Sequence, residues 1–189
     1  MTTLEVGYIV GSLSSTSINR ILSKALIRLA PQDLAFTEIP IGNLPLYSPD
    51  FDTDYPTEAL DLKRSIERSD GVLFVTPEYN RGIPGSLKNA IDWASRPWGK
   101  NSLNNMVCGV IGASIGQIGT AVGQQSLRAA LSFCNARQMT APEAYIHFTH
   151  EVYLADGEVT DDSAAGFLRD FMVDFRDYIS LVRTVLPRS

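Results

Sequence analysis

Cysteine and histidine are scarce in this sequence, with two residues of each among 189. Cys108 and Cys134 both fall in apolar segments, so we interpret them as small buried hydrophobes, not as a disulfide framework or a metal site. Basic residues are also few, because 21 acidic residues outnumber 16 basic ones and leave a net charge of −5. That charge argues against nucleic acid and against an anionic membrane surface as partners.

Long apolar runs are missing as well. No stretch is long enough to cross a bilayer, and the first residues do not combine a basic start with an apolar segment. We therefore expect a cytoplasmic protein. The length, with 44% hydrophobic and 20% charged residues, is typical of one globular domain, here residues 1–189.

What the sequence does contain is a regular alternation of predicted strands and helices. The predicted strands are 4–10, 34–39, 71–75, 106–112 and 144–148. The predicted helices are 17–30, 57–68, 84–95, 119–136 and 161–186, with Ser17 and Thr160 as expected N-caps of the first and the last. This alternation predicts an α/β fold, and five strands fit a flavodoxin-like doubly wound parallel sheet with helices on both faces. The usual strand order of that fold is 2-1-3-4-5.

Ligands of such folds bind at the carboxyl ends of the strands, so the turns after strands one, three and four are the candidate sites. The first turn, GSLSSTSIN at 11–19, is rich in hydroxyl groups and opens a helix, which favours an anion such as a phosphate monoester. A serine-rich turn that merely caps its helix is an equally good interpretation. The turn matches neither the G-x-G-x-x-G fingerprint nor a P-loop, which argues against a Rossmann dinucleotide site and a P-loop nucleotidase.

The turn after strand three, TPEYNRGIPG at 76–85, contains two prolines, two glycines, an acid, an aromatic residue and an amide. Prolines stiffen the turn and glycines allow close backbone approach, so this wall suits a flat heterocycle with a donor and acceptor edge. An ordinary strand-to-helix turn explains Pro84 at the helix start but gives no reason for Pro77 or for the Glu-Tyr-Asn run.

The turn after strand four, GASIGQIG at 112–119, has small residues that leave room for a ring against the backbone. It also matches the G-x-S-x-G motif of serine hydrolases, with Ser114 as nucleophile and Glu143, His147 and His150 following in the required order. We disfavour a hydrolase, because Gly116 and Gly119 delay the helix that should begin directly after the serine.

These motifs together resemble the NADPH-dependent FMN reductase family of flavodoxin-like proteins, which includes quinone, chromate and azo-dye reductases. The matching segments are GSLSSTSIN at 11–19, LPLY at 44–47, DGVLFVTPEYNRGIPGSLKNAIDWASRP at 70–97 and GASIGQIG at 112–119. The third segment is highly specific, whereas the others are weak alone.

The resemblance implies an FMN site and NADPH or NADH as co-substrate. Its phosphate site would comprise Ser12, Ser14, Ser17, Ile18 and Asn19. Its isoalloxazine site would comprise Pro77, Glu78, Tyr79 and Asn80 on one side and Ser114 on the other. The family usually has an arginine where this chain has Ser14, which removes a cation from the phosphate site.

The implied activity is hydride transfer from NAD(P)H through FMN to quinones, free flavin, azo compounds or metal oxyanions, with no catalytic side chain and no metal. The main alternative is a flavodoxin-type electron carrier without its own NAD(P)H site; a serine hydrolase ranks third and a receiver-like signalling domain last. The resemblance also implies a homodimer or homotetramer. That interface could be formed by apolar residues of the proline-rich segment 42–56, together with Trp93 and Trp98, or these side chains could fold back over their own sheet. The residues of the segment are Leu46, Tyr47, Phe51 and Tyr55.

Overall fold

A parallel sheet with helices on both faces forms the centre of the protein in the computed structural model, which describes residues 3–186. Residues 1, 2 and 187–189 of the predicted domain lie outside the described part. The strands are β1 Leu4–Val10, β2 Leu34–Glu38, β3 Gly71–Val75, β4 Val107–Ser114, β5 Arg137–Gln138 and β6 Tyr145–His147. The helices are α1 Ile18–Leu29, α2 Thr57–Arg68, α3 Gly85–Ser95, α4 Ala121–Phe133 and α5 Asp162–Val185, with a short 3₁₀ turn at Pro49–Phe51.

The strand order is β2-β1-β3-β4-β5, with every pairing parallel, which confirms the predicted flavodoxin-like sheet. The fifth position differs from the prediction because two short strands share it. β5 pairs with Val107 and Cys108 at the start of β4, whereas β6 pairs with Gly112–Ser114 at its end. β4 itself runs two residues further than predicted, to Ser114.

The two faces of the sheet bury separate apolar clusters. Along β3, which is buried throughout, Leu73 and Val75 belong to the cluster under α1 and α5, whereas Val72 and Phe74 belong to the cluster under α2, α3 and α4. This alternation is the period-two pattern of a strand covered on both faces.

Side-chain caps are present at the starts of α1 and α5, the two helices for which the sequence predicted an N-cap. The Ser17 hydroxyl accepts a hydrogen bond from Arg20 N, as predicted for the N-cap of α1. The cap of α5 is Asp161, whose carboxylate accepts from Ala164 N at 2.7 Å, and not the predicted Thr160. The Thr160 hydroxyl instead donates to Glu151 O at 2.7 Å.

The segment 42–56 packs back onto its own domain around Trp93, which is fully buried. The rings of Tyr47 and Tyr55 meet the Trp93 ring edge-on, with centroid separations of 5.0 and 4.9 Å. The indole N–H donates to Pro45 O at 2.7 Å, which satisfies the polar atom of a buried tryptophan. Trp93 is therefore not available to an interface, and Tyr47 and Tyr55 are half-buried against it, whereas Leu46 and Trp98 are 82% and 81% exposed.

Candidate functional site

The three predicted turns lie side by side, because β1, β3 and β4 are neighbours in the sheet and end at the same edge. Gly11 N donates to Val75 O, and Thr76 N donates to Ile111 O, both at 2.9 Å. Gly112 lets the β3 and β4 turns approach closely, since a Cβ there would fall 2.1 Å from the backbone oxygen of Thr76. Any other residue would push the two turns apart.

The first turn is held by its own hydroxyl groups. Ser12 Oγ accepts from Ser14 N at 3.3 Å, and Ser14 Oγ accepts from Thr16 N at 3.2 Å. Ser12 and Ser17 are buried, whereas Ser14 is exposed. The turn leads into α1, whose first turn contains no acidic residue and whose Ile18 and Asn19 N–H groups have no intrahelical acceptor. Such a helix start favours a bound anion.

Asn19 occupies a different place from its neighbours in this turn, because its side chain points into the protein and is 1% exposed. Its Nδ2 donates to Ala113 O at 2.9 Å, and its Oδ1 accepts from Ala113 N at 2.8 Å. The carboxamide therefore joins the start of α1 to the end of β4. The family resemblance implied that Asn19 would be a phosphate ligand, and no local pattern indicated its contact with Ala113, 94 residues away.

The second turn is a two-residue hairpin. Tyr79 and Gly82 exchange backbone hydrogen bonds of 3.1 and 2.9 Å, and the central residues Asn80 and Arg81 have φ values of 51° and 63°. Two positive φ values in succession define a type I′ turn, which asparagine tolerates well at its first position and for which glycine is preferred at the second. Asn80 therefore shapes the turn. The side chain of Tyr79 is exposed at its edge.

Glu78 anchors this hairpin to α4, and its side chain is only 8% exposed. Its Oε2 accepts from Gly123 N in the first turn of α4 at 2.8 Å, and its Oε1 accepts from Arg81 Nη1 at 3.1 Å. Gly123 permits this approach, since a Cβ there would lie 3.1 Å from Glu78 Cγ. A carboxylate at a helix start satisfies a free N–H group and complements the helix dipole.

The third turn places Ser114 at the end of β4, where its hydroxyl accepts from Gly116 N at 3.0 Å. Ile115 and Ile118 are exposed beyond it. Together with Tyr79 they give this edge of the sheet an open, partly apolar surface.

The hydrolase arrangement is not formed by these residues. His147 lies beside Ser114 in the sheet, but its Nε2 is 3.2 Å from Ile115 O. The Glu143 carboxylate accepts from Gln125 Nε2 at 3.1 Å, and the ring of His150 packs edge-on against Phe148. A serine nucleophile needs a hydrogen-bonded relay from serine to histidine to acid, and none of these contacts supplies one.

Among the described residues 3–186, none of the helices is both long and apolar enough to span a membrane. Within the same range, no cluster of three or more histidine, cysteine, aspartate or glutamate side chains is arranged to hold a metal ion.

The arrangement fits FMN on two counts. The carboxylate-free start of α1 supplies N–H and hydroxyl donors suited to a phosphate, and the tight Gly112 contact packs the other two turns into a wall that a planar ring can lie against. The geometry defines a doubly wound α/β protein, and the carboxyl edge of its sheet is the candidate ligand site.

Several known proteins are similar to this chain. The family model described as NADPH-dependent FMN reductase matches residues 4–151. A 2-hydroxy-1,4-benzoquinone reductase from Burkholderia sp. is 42% identical, over 93% of this chain and 96% of its own length. A quinone reductase from Pseudomonas putida is 40% identical, over 96% of this chain and 97% of its own.

Among solved structures, the flavoenzyme NAD(P)H:(acceptor) oxidoreductase FerB from Paracoccus denitrificans is 46% identical. It superposes with a TM-score of 0.91, covering 95% of this chain and 98% of its own. The chain belongs to the NADPH-dependent FMN reductase family. It is accordingly an oxidoreductase that uses FMN and NAD(P)H, as the sequence predicted.

Proposed function

We propose that this protein passes a hydride from NAD(P)H through FMN to small acceptors, with quinones as the principal class. The main support for this proposal is that the start of α1, which favours a bound anion, lies beside the turns after β3 and β4 in a chain of the FMN reductase family. We call these two turns the ring-side turns, because the flavin ring would lie against them. The acceptor class follows from the two relatives that are named as quinone reductases.

The phosphate end of FMN would be held by Ser12, Ser14, Ser17 and the backbone N–H groups of Ile18 and Asn19. Their donors are neutral, so the positive end of α1 supplies the favourable charge.

The ring would lie against Pro77, Glu78, Tyr79 and Asn80 on one side and Ser114 on the other. Bound FMN supplies the hydride-accepting chemistry that these side chains lack.

The contribution of the chain itself is a rigid, open frame. The bond from Gly123 N to Glu78 fixes the hairpin, and the two reciprocal bonds between Asn19 and Ala113 fix the end of β4. Exposed Tyr79, Ile115 and Ile118 leave the edge of the site accessible. Because few polar groups there could reject an incorrect substrate, we expect broad tolerance among planar acceptors.

A flavodoxin-type carrier would also bind FMN, so turnover separates the two functions. Purified protein loaded with FMN should oxidise NADPH or NADH steadily when benzoquinone is added. A carrier would bind FMN normally and oxidise neither nucleotide. As a further control, Ser114→Ala should keep quinone reduction, and a fluorophosphonate probe should leave wild-type Ser114 unlabelled.

Assembly and location remain predictions from the sequence. We expect a homodimer or homotetramer, with exposed Leu46 and Trp98 as the side chains most available for contact, and a cytoplasmic protein. Light scattering across a dilution series, with and without FMN, tests the assembly. A protein that is monomeric at every concentration and has full turnover would contradict the predicted assembly.

A further inference from the structure

The carboxamide of Asn19 occupies a position that a neighbouring strand would normally fill. In a parallel sheet, the backbone N–H and C=O groups of successive residues point to alternate sides of the strand. Along β4, the backbone groups of Ile111 bond towards β3, whereas Gly112 N donates to Ala144 O on the opposite side. The N–H and C=O groups of Ala113 therefore face the β3 side.

β3 has left the sheet at that level. Thr76 N donates the last bond to Ile111 O, and the chain then turns away at Pro77, which has no N–H group to offer. Asn19 Nδ2 and Oδ1 bond both backbone groups of Ala113 instead, at 2.9 and 2.8 Å. An asparagine carboxamide has the donor and acceptor of a peptide group, so it completes the sheet without a strand.

We infer that Asn19 is a positioning residue that fixes the phosphate-binding start of α1 relative to the ring-side turn that follows Ala113. The inference rests on the proposed FMN function and assigns the Asn19 side chain a role other than phosphate ligand. FMN spans both regions, so their separation must match the length of the cofactor. Preorganising that separation removes an ordering cost from binding.

Two flavins distinguish the two roles of Asn19, since riboflavin lacks the phosphate group. A positioning role predicts that Asn19→Ala weakens binding of both flavins, by about tenfold for FMN, because both carry the ring and the turn after Ala113 loses its anchor. The matched control is Ser14→Ala in the same turn, which should weaken FMN and leave riboflavin unchanged. The inference would be overturned if Asn19→Ala weakened FMN binding tenfold and left riboflavin binding unchanged.

The wild-type protein provides a test that does not depend on a folded variant. Scalar couplings across hydrogen bonds, measured by NMR, should connect Asn19 Nδ2–H with the Ala113 carbonyl and Ala113 N–H with the Asn19 carboxamide. We expect both couplings without flavin and with FMN bound. The coupling from Thr76 N–H to the Ile111 carbonyl is the internal control for sensitivity.

Loss of both Asn19 couplings on FMN binding, with the control still visible, would show that the side chain turns to the phosphate and would overturn the inference. Wild-type protein that binds neither flavin would instead contradict the proposed function, and the inference with it. The two failures are distinguishable because only the second abolishes binding in the wild type.

Discussion

The carboxylate of Glu78 accepts a hydrogen bond from the backbone N–H of Gly123 at 2.8 Å, across 45 residues of sequence. This contact fixes the hairpin turn after β3 to the start of α4. A nearly buried acid in a turn that is proposed to contact flavin could be taken for a proton donor or acceptor. Its position shows that it caps a helix and orients the backbone beside it.

Removing this cap should cost stability. We expect Glu78→Ala to lower the free energy of unfolding by about 1–2 kcal/mol, because Gly123 N loses its acceptor and α4 loses a negative charge at its start. Glu78→Gln keeps an acceptor and should lose less. Urea unfolding of the three proteins gives the comparison, and a Glu78→Ala variant as stable as wild type would show that the contact contributes nothing.

Arg81 is a position where glycine should be better than the native residue. Its φ of 63° is unfavourable for a residue with a Cβ, and its side chain is 65% exposed, so the ion pair with Glu78 contributes little. Arg81→Gly should raise the free energy of unfolding by up to about 1 kcal/mol. Arg81→Ala is the control, since it removes the same ion pair and keeps the strain. Equal stabilities for the two variants would contradict this explanation.

Lys63 should make stability depend on pH. This buried side chain donates to the backbone oxygens of Ala94, Arg96 and Lys100. Burial lowers its pKa from 10.5 to about 8, although the nearby Glu67 carboxylate acts to raise it. Between those values the unfolded chain binds a proton that the folded chain lacks. Stability therefore increases as the pH rises through this window.

We expect Lys63 to contribute an increase of up to about 3 kcal/mol across that window. The measurement is urea unfolding at the two pH values for wild type and for Lys63→Met, which has no titrating group at this position. Groups that do not interact with Lys63 titrate alike in both proteins, so the difference reports on Lys63 and its charged neighbours. The same pH dependence in both would show that the pKa of Lys63 is not lowered.

Ser14 is the place to add a cation to the proposed phosphate site. Its exposed side chain lies in the turn before α1, where an arginine could reach a bound phosphate. Ser14→Arg should tighten FMN binding by about 1.5–3 kcal/mol through a charge-assisted hydrogen bond, with no matching gain for riboflavin. Unchanged FMN affinity would mean that the helix start or another group already supplies the required charge.

The sequence predicted the elements whose patterns are local. Buried runs, helical periodicity and caps such as Ser17 depend on near neighbours, and the strand order found is the usual one for this fold. β5 was missed because Arg137–Gln138 is short and polar, with no alternation to indicate a strand. It pairs only because it follows α4 along the edge of β4.

Contacts between distant segments could not be predicted in the same way. The sequence left open whether the aromatic residues of segment 42–56 form an interface or fold back over their own sheet, and only the structure places Tyr47 and Tyr55 against Trp93. Asn19 was predicted as a site residue only from its position in the family motif, and its partner Ala113 lies 94 residues away. Each of these contacts depends on which segments the folded sheet brings together, and no local sequence pattern indicates which segments those are.

The most direct test of the proposed function is a titration of the apoprotein with FMN, followed by anaerobic addition of NADPH and then of benzoquinone. We predict one FMN bound per chain, loss of the visible flavin absorbance on addition of NADPH, and its return when the quinone is added. Protein whose absorbance and melting temperature are unchanged by saturating FMN would contradict the flavin site. Protein that binds FMN but is not reduced by NADPH or NADH would contradict the reductase.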